Sequence, residues 1–563
     1  MTCLVSMAEL VTPKVMGIAV DGLVDHNEAI ESNLLWIALF VVLIALLGAL
    51  FRYLFGLINA KGAEKLTKKM RDELYSHIMS LPSSWHETNK TGDIIQRCTS
   101  DVDTIKKFLS EELTSLFRTI VMIILSLVLM LTISPRLTLI PGVFIPVVVG
   151  YSLIFHKKVG SAFYECDSQE GVLSSIAQEN LTGVRVVRAF GREKYERERF
   201  MTQNEKYTGL WVRMMKILST FWSSMDLIGG IQVLLVLALG ACACVGGTLA
   251  PGDYVAFVSY NAILIWPVRE LGRIIADMSK AGISIDRIAY IMNSGAEEDT
   301  AKAGDFPANT DIVFDRVSFS YEDGKKPVLC NVSLNIKSGT TVGILGKTGS
   351  GKSTLVKLLD GLYDLKEGNG SITIGGRDIR LIRREELRKN IGFVLQEPFL
   401  FSRTLRENIC ISEADNVSLK DVLHTAQLEG TVRKLDGGLD TVVGERGVTL
   451  SGGQKQRTAI AQTLMRKPPI LIFDDSLSAL DTRTDEALRR ALKAYKGNAT
   501  VILISHRITT LMDSDNIFVM QDGGICETGT HEELIKRDGL YRRIYELQCA
   551  GSENIKEAGH EEK

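Results

Sequence analysis

The sequence predicts a chain of two parts, an α-helical membrane domain followed by an α/β domain with a largely parallel sheet. Apolar runs of about 18 residues or more recur through the first half of the 563-residue chain, and a helix needs that length to cross a bilayer. In the second half, β-branched runs alternate with helical ones, an order typical of parallel α/β domains. Hydrophobic residues make up 45% of the whole chain, with the excess in the first half.

Charge and composition argue against two classes of protein. The chain has 65 Lys and Arg against 67 Asp and Glu, a formal charge of −2, whereas nucleic-acid-binding proteins usually carry a basic excess. The nine cysteines are scattered and form no CxxC pair, which argues against a zinc ribbon and a dense disulfide framework. We therefore expect no nucleic-acid partner and mostly reduced thiols.

Six segments are predicted to span the membrane. The second contains LLWIALFVVLIALLGALF, and the first is the weakest because Glu9, Pro13 and Lys14 interrupt it. A signal peptide is the alternative for the first segment, but MTCLVSMAE lacks the basic start that such a peptide needs. The predicted spans are Met1–Val24, Leu34–Leu57, Leu113–Ser134, Leu137–Phe155, Ile217–Val245 and Tyr254–Ile275.

Loop charges predict the orientation of these spans. The long segments after the second and fourth spans are rich in Lys and Arg, whereas the short loops 25–33 and 246–253 contain neither. Cytoplasmic loops carry the basic excess, so we expect the N-terminus, both long segments and the α/β domain inside a cell (inner or plasma) membrane. Both long segments have helical periodicity. Their tips, Pro82–Asp93 and Ala189–Phe200, are either solvated turns or contacts with a cytosolic domain.

The α/β half begins after a polar stretch at 293–310. Residues 346–353, GKTGSGKS, follow a β-branched strand and fit the pattern G-x-x-x-x-G-K-[ST], in which glycines turn backbone N–H groups around phosphate oxygens. Lys352 places a charge near the terminal phosphates, and Ser353 offers a hydroxyl to magnesium. The predicted strands are Asp311–Tyr321, Thr341–Leu345, Ile391–Leu395, Ile470–Phe473 and Thr500–Ser505. The predicted ATP-binding residues here are Gly346, Thr348, Gly349, Ser350, Gly351, Lys352, Ser353 and Thr354.

A carboxylate follows the apolar strand ILIF. Asp474 occupies the place where P-loop folds put a magnesium-linked Asp. The expected cofactors are therefore ATP and Mg²⁺.

The string Leu450-Ser451-Gly452-Gly453-Gln454, followed by KQR, resembles the signature of ATP-binding-cassette (ABC) ATPases. The preceding spans and long inner helices resemble the membrane half of a six-helix ABC exporter. The resemblance implies a transmembrane domain at 1–292, a linker at 293–310, a cassette at 311–548 and a polar, solvated tail at 549–563.

The resemblance also implies roles for single residues of the cassette. Tyr321 would stack on adenine, Gln396 would sense magnesium and the attacking water, and His506 would contact the γ-phosphate. Asp481 would signal across a dimer. The implied metal ligands are Ser353, Gln396 and Asp474.

The signature implies a dimer in which each ATP lies between two chains. Ser451, Gly452, Gly453 and Gln454 would cap the γ-phosphate of ATP on the partner's phosphate loop. The physical chemistry agrees, because these residues open a helix whose free N–H groups suit an anion.

One departure from the family is decisive for the predicted mechanism. The family's general base is a Glu directly after the magnesium Asp, and this chain has Asp475 there. Asp is one methylene shorter, roughly 1.5 Å, and a misplacement of about 1 Å can cost about 100-fold in rate. The pattern resembles the subunit of bacterial heterodimeric multidrug exporters that carries the degenerate ATP site. The implied partner is a second half-transporter with the catalytic Glu; a homodimer with two slow sites is the alternative.

A second departure lies at the start of the chain. Only 24 residues precede the first outer loop, whereas the family usually has an amphipathic elbow before the first span. Either the true start lies upstream or this subunit has lost the elbow.

The expected function is ATP-driven export of a small amphipathic or lipophilic compound across the bilayer. The alternatives are a lipid or lipopeptide flippase driven by the same kind of ATPase domain, and an ATP-gated channel or regulator. Charged residues inside spans are costly and point to function. Arg118, Asp226, Arg269 and Glu270 either pair with one another or face the cytosolic mouth, or they line the translocation path. Phe221, Trp222, Tyr260 and Trp266 offer aromatic surface for flat compounds or face lipid.

Overall fold

The structure is a computed structural model that describes residues 2–26, 30, 32–297, 304–321, 326–412, 417–444, 450–477, 481–495 and 497–548. The predicted tail at 549–563 and part of the predicted linker lie outside the described residues. The chain divides into two compact units. One unit comprises Met1–Ser80 and Asn89–Gly295, and the other comprises Leu81–Thr88 and Ala296–Lys563.

The first unit is entirely helical in the part that the structure describes. Its four longest helices have 42 to 53 residues, and at about 1.5 Å per residue each far exceeds the roughly 30 Å of a bilayer core. The predicted continuation of the spans into long inner helices is therefore observed. The first two helices of this unit are α1 (Thr2–Val24) and α2 (Leu34–Met79). Helix α3 (Ser83–Thr88) comes next in the chain but belongs to the other unit. The remaining helices of the first unit are α4 (Thr91–Gln96), α5 (Val102–Lys107), α6 (Leu113–Ile133), α7 (Pro135–Thr182), α8 (Val184–Ala189), α9 (Glu193–Val245) and α10 (Pro251–Met292).

Five helical stretches among the described residues are long and apolar enough to span a membrane, and they overlap the first five predicted spans. The sixth predicted span lies in α10, which is less apolar because it carries polar Asn261 and charged Arg269 and Glu270. Helix α10 packs inside its unit rather than facing outward. Its Tyr260 is fully buried, and the Tyr260 hydroxyl donates to the carbonyl oxygen of Leu10 at 3.0 Å.

The segment that joins α4 to α6 contains two π-helical turns, Arg97–Asp101 and Phe108–Glu112. Each turn ends in a buried acid that contacts α10. Asp101 accepts from the Ser284 hydroxyl at 2.9 Å, and Glu112 pairs with Arg273 at 2.9 Å. The widened turns thus direct two carboxylates toward one neighbouring helix.

The second unit contains two sheets. A six-stranded sheet has the order β10-β9-β3-β8-β7-β6, in which all strands except β10 run parallel. A four-stranded antiparallel sheet has the order β2-β1-β4-β5. The strands are β1 (Ile312–Phe319), β2 (Leu329–Ile336), β3 (Thr341–Gly346), β4 (Ser371–Ile374), β5 (Arg377–Asp378), β6 (Ile391–Val394), β7 (Ile470–Asp474), β8 (Thr500–Ser505), β9 (Asn516–Gln521) and β10 (Gly524–Gly529).

The predicted α/β fold is confirmed, with one difference in detail. The first predicted strand, observed as β1, lies in the antiparallel sheet, and the other four predicted strands lie in the parallel one. Fully buried apolar runs such as ILIF in β7 explain the parallel sheet, since both of its faces are buried, each in its own hydrophobic cluster. The helices are α11 (Lys352–Leu359), α12 (Arg384–Asn390), α13 (Leu405–Ile409), α14 (Leu419–Thr425), α15 (Glu429–Lys434), α16 (Gly452–Leu464), α17 (Thr482–Tyr495), α18 (Ile508–Leu511) and α19 (His531–Lys536).

Candidate nucleotide site

The phosphate-binding loop joins β3 to α11 at the carboxyl edge of the parallel sheet. Gly349 and Gly351 have φ values of +85° and +96°, a region that favours glycine. A Cβ on Gly351 would lie 2.7 Å from a methyl carbon of Leu329. The loop therefore needs these glycines to turn its N–H groups inward, which is the geometry that holds phosphate oxygens.

Two side chains of the loop fit an anionic ligand. The ammonium of Lys352 donates to the carbonyl oxygens of Gly346 and Lys347, both at 2.8 Å, so it lies folded against the loop. Burial lowers the pKa of Lys352, while Asp474 and Asp475 act in the opposite direction. The hydroxyl of Ser350 is buried and has no hydrogen-bond partner within the described part of the chain. Phosphate oxygens would satisfy these donors.

The predicted metal ligands lie at the same place. The hydroxyl of Ser353 donates to Oδ1 of Asp474 at 3.0 Å, and Asp474 is 4% exposed at the end of β7. Burial raises the pKa of Asp474, and the hydrogen bond from Ser353 partly offsets that effect. A hydroxyl and a carboxylate are hard oxygen ligands that fit Mg²⁺. Among the described residues no group of three His, Cys, Asp or Glu is placed to hold a metal ion.

Asp475 contacts His506, the residue predicted to contact the γ-phosphate. Nδ1 of His506 lies 3.1 and 3.0 Å from the two carboxylate oxygens of Asp475. Asp475 has a φ of +48°, and its backbone N–H donates to the carbonyl of Ile504 at 2.9 Å, which fixes the residue between β7 and β8. A non-glycine residue in this region is unusual and costs about 1–3 kcal/mol, so the surrounding structure imposes the orientation of this carboxylate.

Many of the predicted site residues line one of two cavities. One cavity collects most of them, including Gln396, while Tyr321 lines a neighbouring one. The Tyr321 hydroxyl and the Thr354 hydroxyl are 3.0 Å apart, which connects the two cavities at α11. The predicted residues that line the first cavity are Thr348, Gly349, Gly351, Lys352, Ser353, Thr354, Gln396, Asp474, Asp475 and His506.

The signature residues do not line that cavity. Ser451 and Gln454 form a capping box at the start of α16. The Ser451 N–H donates to Oε1 of Gln454 at 2.8 Å, and the Gln454 N–H donates to the Ser451 hydroxyl at 3.4 Å. Ser451 and Gly452 are exposed. The pattern S-x-x-Q could have predicted this cap from the sequence.

Asp481 lies at the start of α17, where Oδ1 accepts from the N–H of Thr484 at 3.0 Å. That backbone hydrogen bond lowers the pKa of Asp481. Its side chain therefore caps a helix, and it does not line the cavity of the phosphate loop.

Sequence reasoning missed one residue that contacts the backbone at His506 and Ile508. The side-chain amide of Gln548 donates to the carbonyl of His506 at 2.8 Å and accepts from the N–H of Ile508 at 2.9 Å. Gln548 lies in the helical stretch 540–548. No local pattern links it to His506, because 42 residues separate the two.

Comparisons with known proteins agree with this geometry. Residues 1–268 match the family model of the ABC transporter transmembrane region, and residues 329–478 match that of the ABC transporter. A probable multidrug resistance ABC transporter ATP-binding/permease protein of Bacillus subtilis is 34% identical over 555 residues, which cover 97% of this chain and 93% of that protein. The chain belongs to the ABC transporter family.

Two further similarities show the exporter type. An ATP-dependent lipid A-core flippase of Photorhabdus laumondii is 32% identical over 525 residues, 93% of this chain and 90% of that protein. A solved bacterial Atm1-family ABC exporter with ATP bound superposes with a TM-score of 0.83 at 28% identity, covering 97% of this chain and 96% of that chain. The protein is thus a multi-pass ABC exporter that acts as a dimer in the bilayer, and its ATPase domain implies ATP binding and hydrolysis coupled to transport.

The charged residues within the exporter's spans pair with one another. Arg118 donates to both carboxylate oxygens of Glu9 at 2.8 and 3.0 Å, and Arg269 pairs with Asp226 at 2.6 Å. Glu270 lies 3.5 Å from Arg273. Pairing lowers the cost of these charges in a membrane.

Proposed function

We propose that this ABC exporter forms a heterodimer with a second half-transporter, and that the heterodimer exports amphipathic, lipophilic compounds across the bacterial inner membrane. We call this heterodimer the unequal pair, because the ATP site on this chain's own phosphate loop would hydrolyse ATP slowly. The observation that carries the proposal is Asp475 at the position of the general base. A general base must lie within hydrogen-bond reach of the water it activates. A side chain shorter by one methylene, with its carboxylate against His506 at 3.0 Å, reaches less far into the cavity.

The other residues of the cavity support tight ATP binding. The loop N–H groups, Lys352 and Ser350 would bind phosphates, and Tyr321 would stack on adenine. Magnesium, held by Ser353, Gln396 and Asp474, would neutralise phosphate charge. Slow hydrolysis then follows from the poor reach of Asp475 as a proton acceptor rather than from weak binding.

The signature supports a second role in the partner's site. Its capping box leaves the N–H groups of Gly452 and Gly453 at an exposed helix start, where they suit an anion. Ser451–Gln454 would cap ATP held by a partner chain whose base is Glu. One chain can therefore have a slow site of its own and still complete a fast one.

Helix α3, which would couple nucleotide binding to transport, also supports the proposal. The first predicted tip contributes α3 to the same compact unit as the cassette. Residues of α3, including Glu87, line one cavity with Tyr321 and Tyr363. Burial and Glu87 raise the pKa of the Tyr363 hydroxyl, and Glu87 lies 4.0 Å from Lys357 of α11. Changes around bound adenine would thus reach α3, and Asp481 would carry the signal toward the partner.

The organisation that we propose has the transmembrane domain at 1–292, the linker at 293–310, the cassette at 311–548 and the tail at 549–563. The cassette would lie in the cytoplasm. The transported compound would be small and amphipathic.

ATPase measurements test the unequal pair. We expect this chain, purified alone in lipid nanodiscs, to bind ATP and to hydrolyse it slowly. Co-purification with a half-transporter that has Glu at the matching position should raise hydrolysis by roughly 100-fold. Ser451→Ala in this chain should lower that shared activity, whereas Ser100→Ala, in the membrane unit, serves as a matched control. Brisk hydrolysis by this chain alone contradicts the unequal pair.

A lipid flippase is the second candidate, because a relative at 32% identity is described as a lipid A-core flippase. A homodimeric exporter is the third arrangement. Reconstituted vesicles separate them: translocation of a fluorescent lipid without dye accumulation favours the flippase, and full transport by this chain alone favours the homodimer.

A further inference from the structure

A cavity of about 310 Å³ lies in the second unit, under one face of the six-stranded sheet. Its walls come from β7, β8 and α17, together with the segment that joins α18 to β9. Side chains alternate along a strand, and alternate residues of β7 and β8 face this side of the sheet. The apolar lining residues, each at most 9% exposed, are Leu471, Phe473, Leu477, Leu492, Val501 and Leu503.

The charged side chains around the cavity balance one another. Arg489 lies 3.1 Å from Asp485 and 3.7 Å from Asp513, and Arg490 pairs with Glu486. The lining has three cations and three carboxylates, so its formal charge is zero. A ligand with a net charge would lose hydration on entering and gain no net attraction from this lining. The charged lining residues are Glu486, Arg489, Arg490, Lys493, Asp513 and Asp515.

A buried hydroxyl of the lining is available to a ligand. Ser514 is 7% exposed, and its hydroxyl has no hydrogen-bond partner within the described part of the chain. The hydroxyl lies close to β3, because a Cβ placed on Gly343 would be 3.2 Å from it. A buried hydroxyl without a partner costs free energy, and a ligand with one donor or acceptor would supply that partner.

The size of the cavity suits two fused rings. A core cavity of about 150 Å³ binds benzene, and this one is about twice as large. We infer that it binds a neutral aromatic molecule of two fused rings that carries one hydroxyl or a similar polar group. The apolar walls would cover the rings, and the Ser514 hydroxyl would pair with the polar group.

The position of the cavity connects such a ligand to the nucleotide site. Phe473 lines the cavity and directly precedes Asp474, whose carboxylate accepts from the Ser353 hydroxyl at 3.0 Å. Leu503 also lines it and lies three positions before His506. A ligand packed against both strands would change how β7 and β8 hold Asp474 and His506, so the cavity is an effector site for ATP hydrolysis. This role does not depend on which chain supplies the general base.

Amide hydrogen exchange of the full-length exporter in nanodiscs, without nucleotide, tests the site. The probe is 1-naphthol, which is uncharged at neutral pH. It should slow exchange in α17 and β8 of the wild type, and the concentration that gives half-maximal protection there measures the affinity of this site alone. Two analogues with the same rings, 1-naphthoate and 1-naphthylmethylammonium, carry one charge of each sign. We expect each to bind at least about tenfold more weakly.

Three variants complete the design. Ser514→Ala should weaken binding of 1-naphthol about fivefold, from the loss of one hydrogen bond, and should leave naphthalene within about twofold. Leu492→Phe adds a ring to the cavity from α17 and should abolish protection by both compounds. Ser371→Ala in β4, outside the cavity, should change neither. Retained binding of ATP shows that a variant is folded.

Each part of the inference has its own refutation. A wild type without protection, or unchanged protection in Leu492→Phe, overturns the site. An unchanged affinity for 1-naphthol in Ser514→Ala, or an equal loss for naphthalene, overturns the hydrogen bond, and a charged analogue that binds as tightly as 1-naphthol overturns the neutral class. At the protecting concentration, 1-naphthol should change the ATPase rate of the wild type by about twofold or more and should not change that of Leu492→Phe. An unchanged wild-type rate overturns the effector role.

Discussion

Asp475→Glu is the substitution that most directly tests the reasoning about the short base. It adds one methylene at the position that follows Asp474 and leaves the phosphate loop unchanged. The residue is 19% exposed at its side chain and lies at the edge of the cavity, so the longer side chain has room to extend. In a dimer of the variant, both sites would have a full base and an intact signature.

The expected gain follows from the geometry. The added carbon extends the reach by roughly 1.5 Å, and an error of about 1 Å is worth about 100-fold in rate. We therefore expect kcat of the chain alone to rise about 100-fold, which corresponds to about 2.7 kcal/mol of transition-state stabilisation. The KM for ATP should change little, because Lys352 and the loop glycines are untouched.

Steady-state ATPase in nanodiscs, with ATP binding measured in parallel, provides the readout. Asp475→Asn has the length of Asp without its charge, and it should resemble the slow wild type. A Glu variant that is no faster than the wild type refutes the argument from reach. A wild type that is already fast, and that loses its activity in the Asn variant, shows instead that Asp475 serves as an adequate base.

Three further predictions concern the cassette. Gly351→Ala, at φ +96°, should abolish detectable binding of a fluorescent ATP analogue, whereas Gly430→Ala in α15, which meets open space, should not. Equal binding by the two contradicts the steric argument. Burial raises the pKa of Asp360 to about 7, above its unfolded value of about 3.9. Stability should therefore fall as pH rises from about 4 to 7 and then level off, and Asp360→Asn should flatten that part of the melting-temperature profile. Gln548→Ala should lower the slow ATPase of this chain alone several-fold at unchanged ATP affinity, since it releases the carbonyl of His506 in this chain's own site, and an unchanged rate would remove its positioning role.

The elements that the sequence predicted well are those fixed by local patterns. The run ILIF predicted β7 because every residue of that strand is buried, and a fully buried strand needs continuous apolar residues. The phosphate loop was equally predictable, because the φ values of Gly349 and Gly351 are a local demand that only glycine meets easily. The first five spans follow from length and apolarity alone.

Contacts between distant segments could not be predicted in this way. The pairing of Arg118 with Glu9 joins residues 109 positions apart, and that of Arg269 with Asp226 joins residues 43 apart. The sequence showed each charge inside a span and so indicated a partner or a water-filled path, but it could not choose between them. The choice depends on how the helices pack.

The short side chain of Asp475 and the intact signature at 450–454 are compatible because they depend on different parts of the fold. The signature needs only a capped helix start, and the capping box of Ser451 and Gln454 supplies it with residues three positions apart. The base needs a side chain that extends from β7 past His506 into the cavity, so its length is critical. On the proposed function, Asp at that position would therefore impair only the site built on this chain's own phosphate loop. An exporter made of two such different chains would lose one fast site and keep the other, which is why we interpret Asp475 as a sign of an unequal pair rather than of an inactive protein.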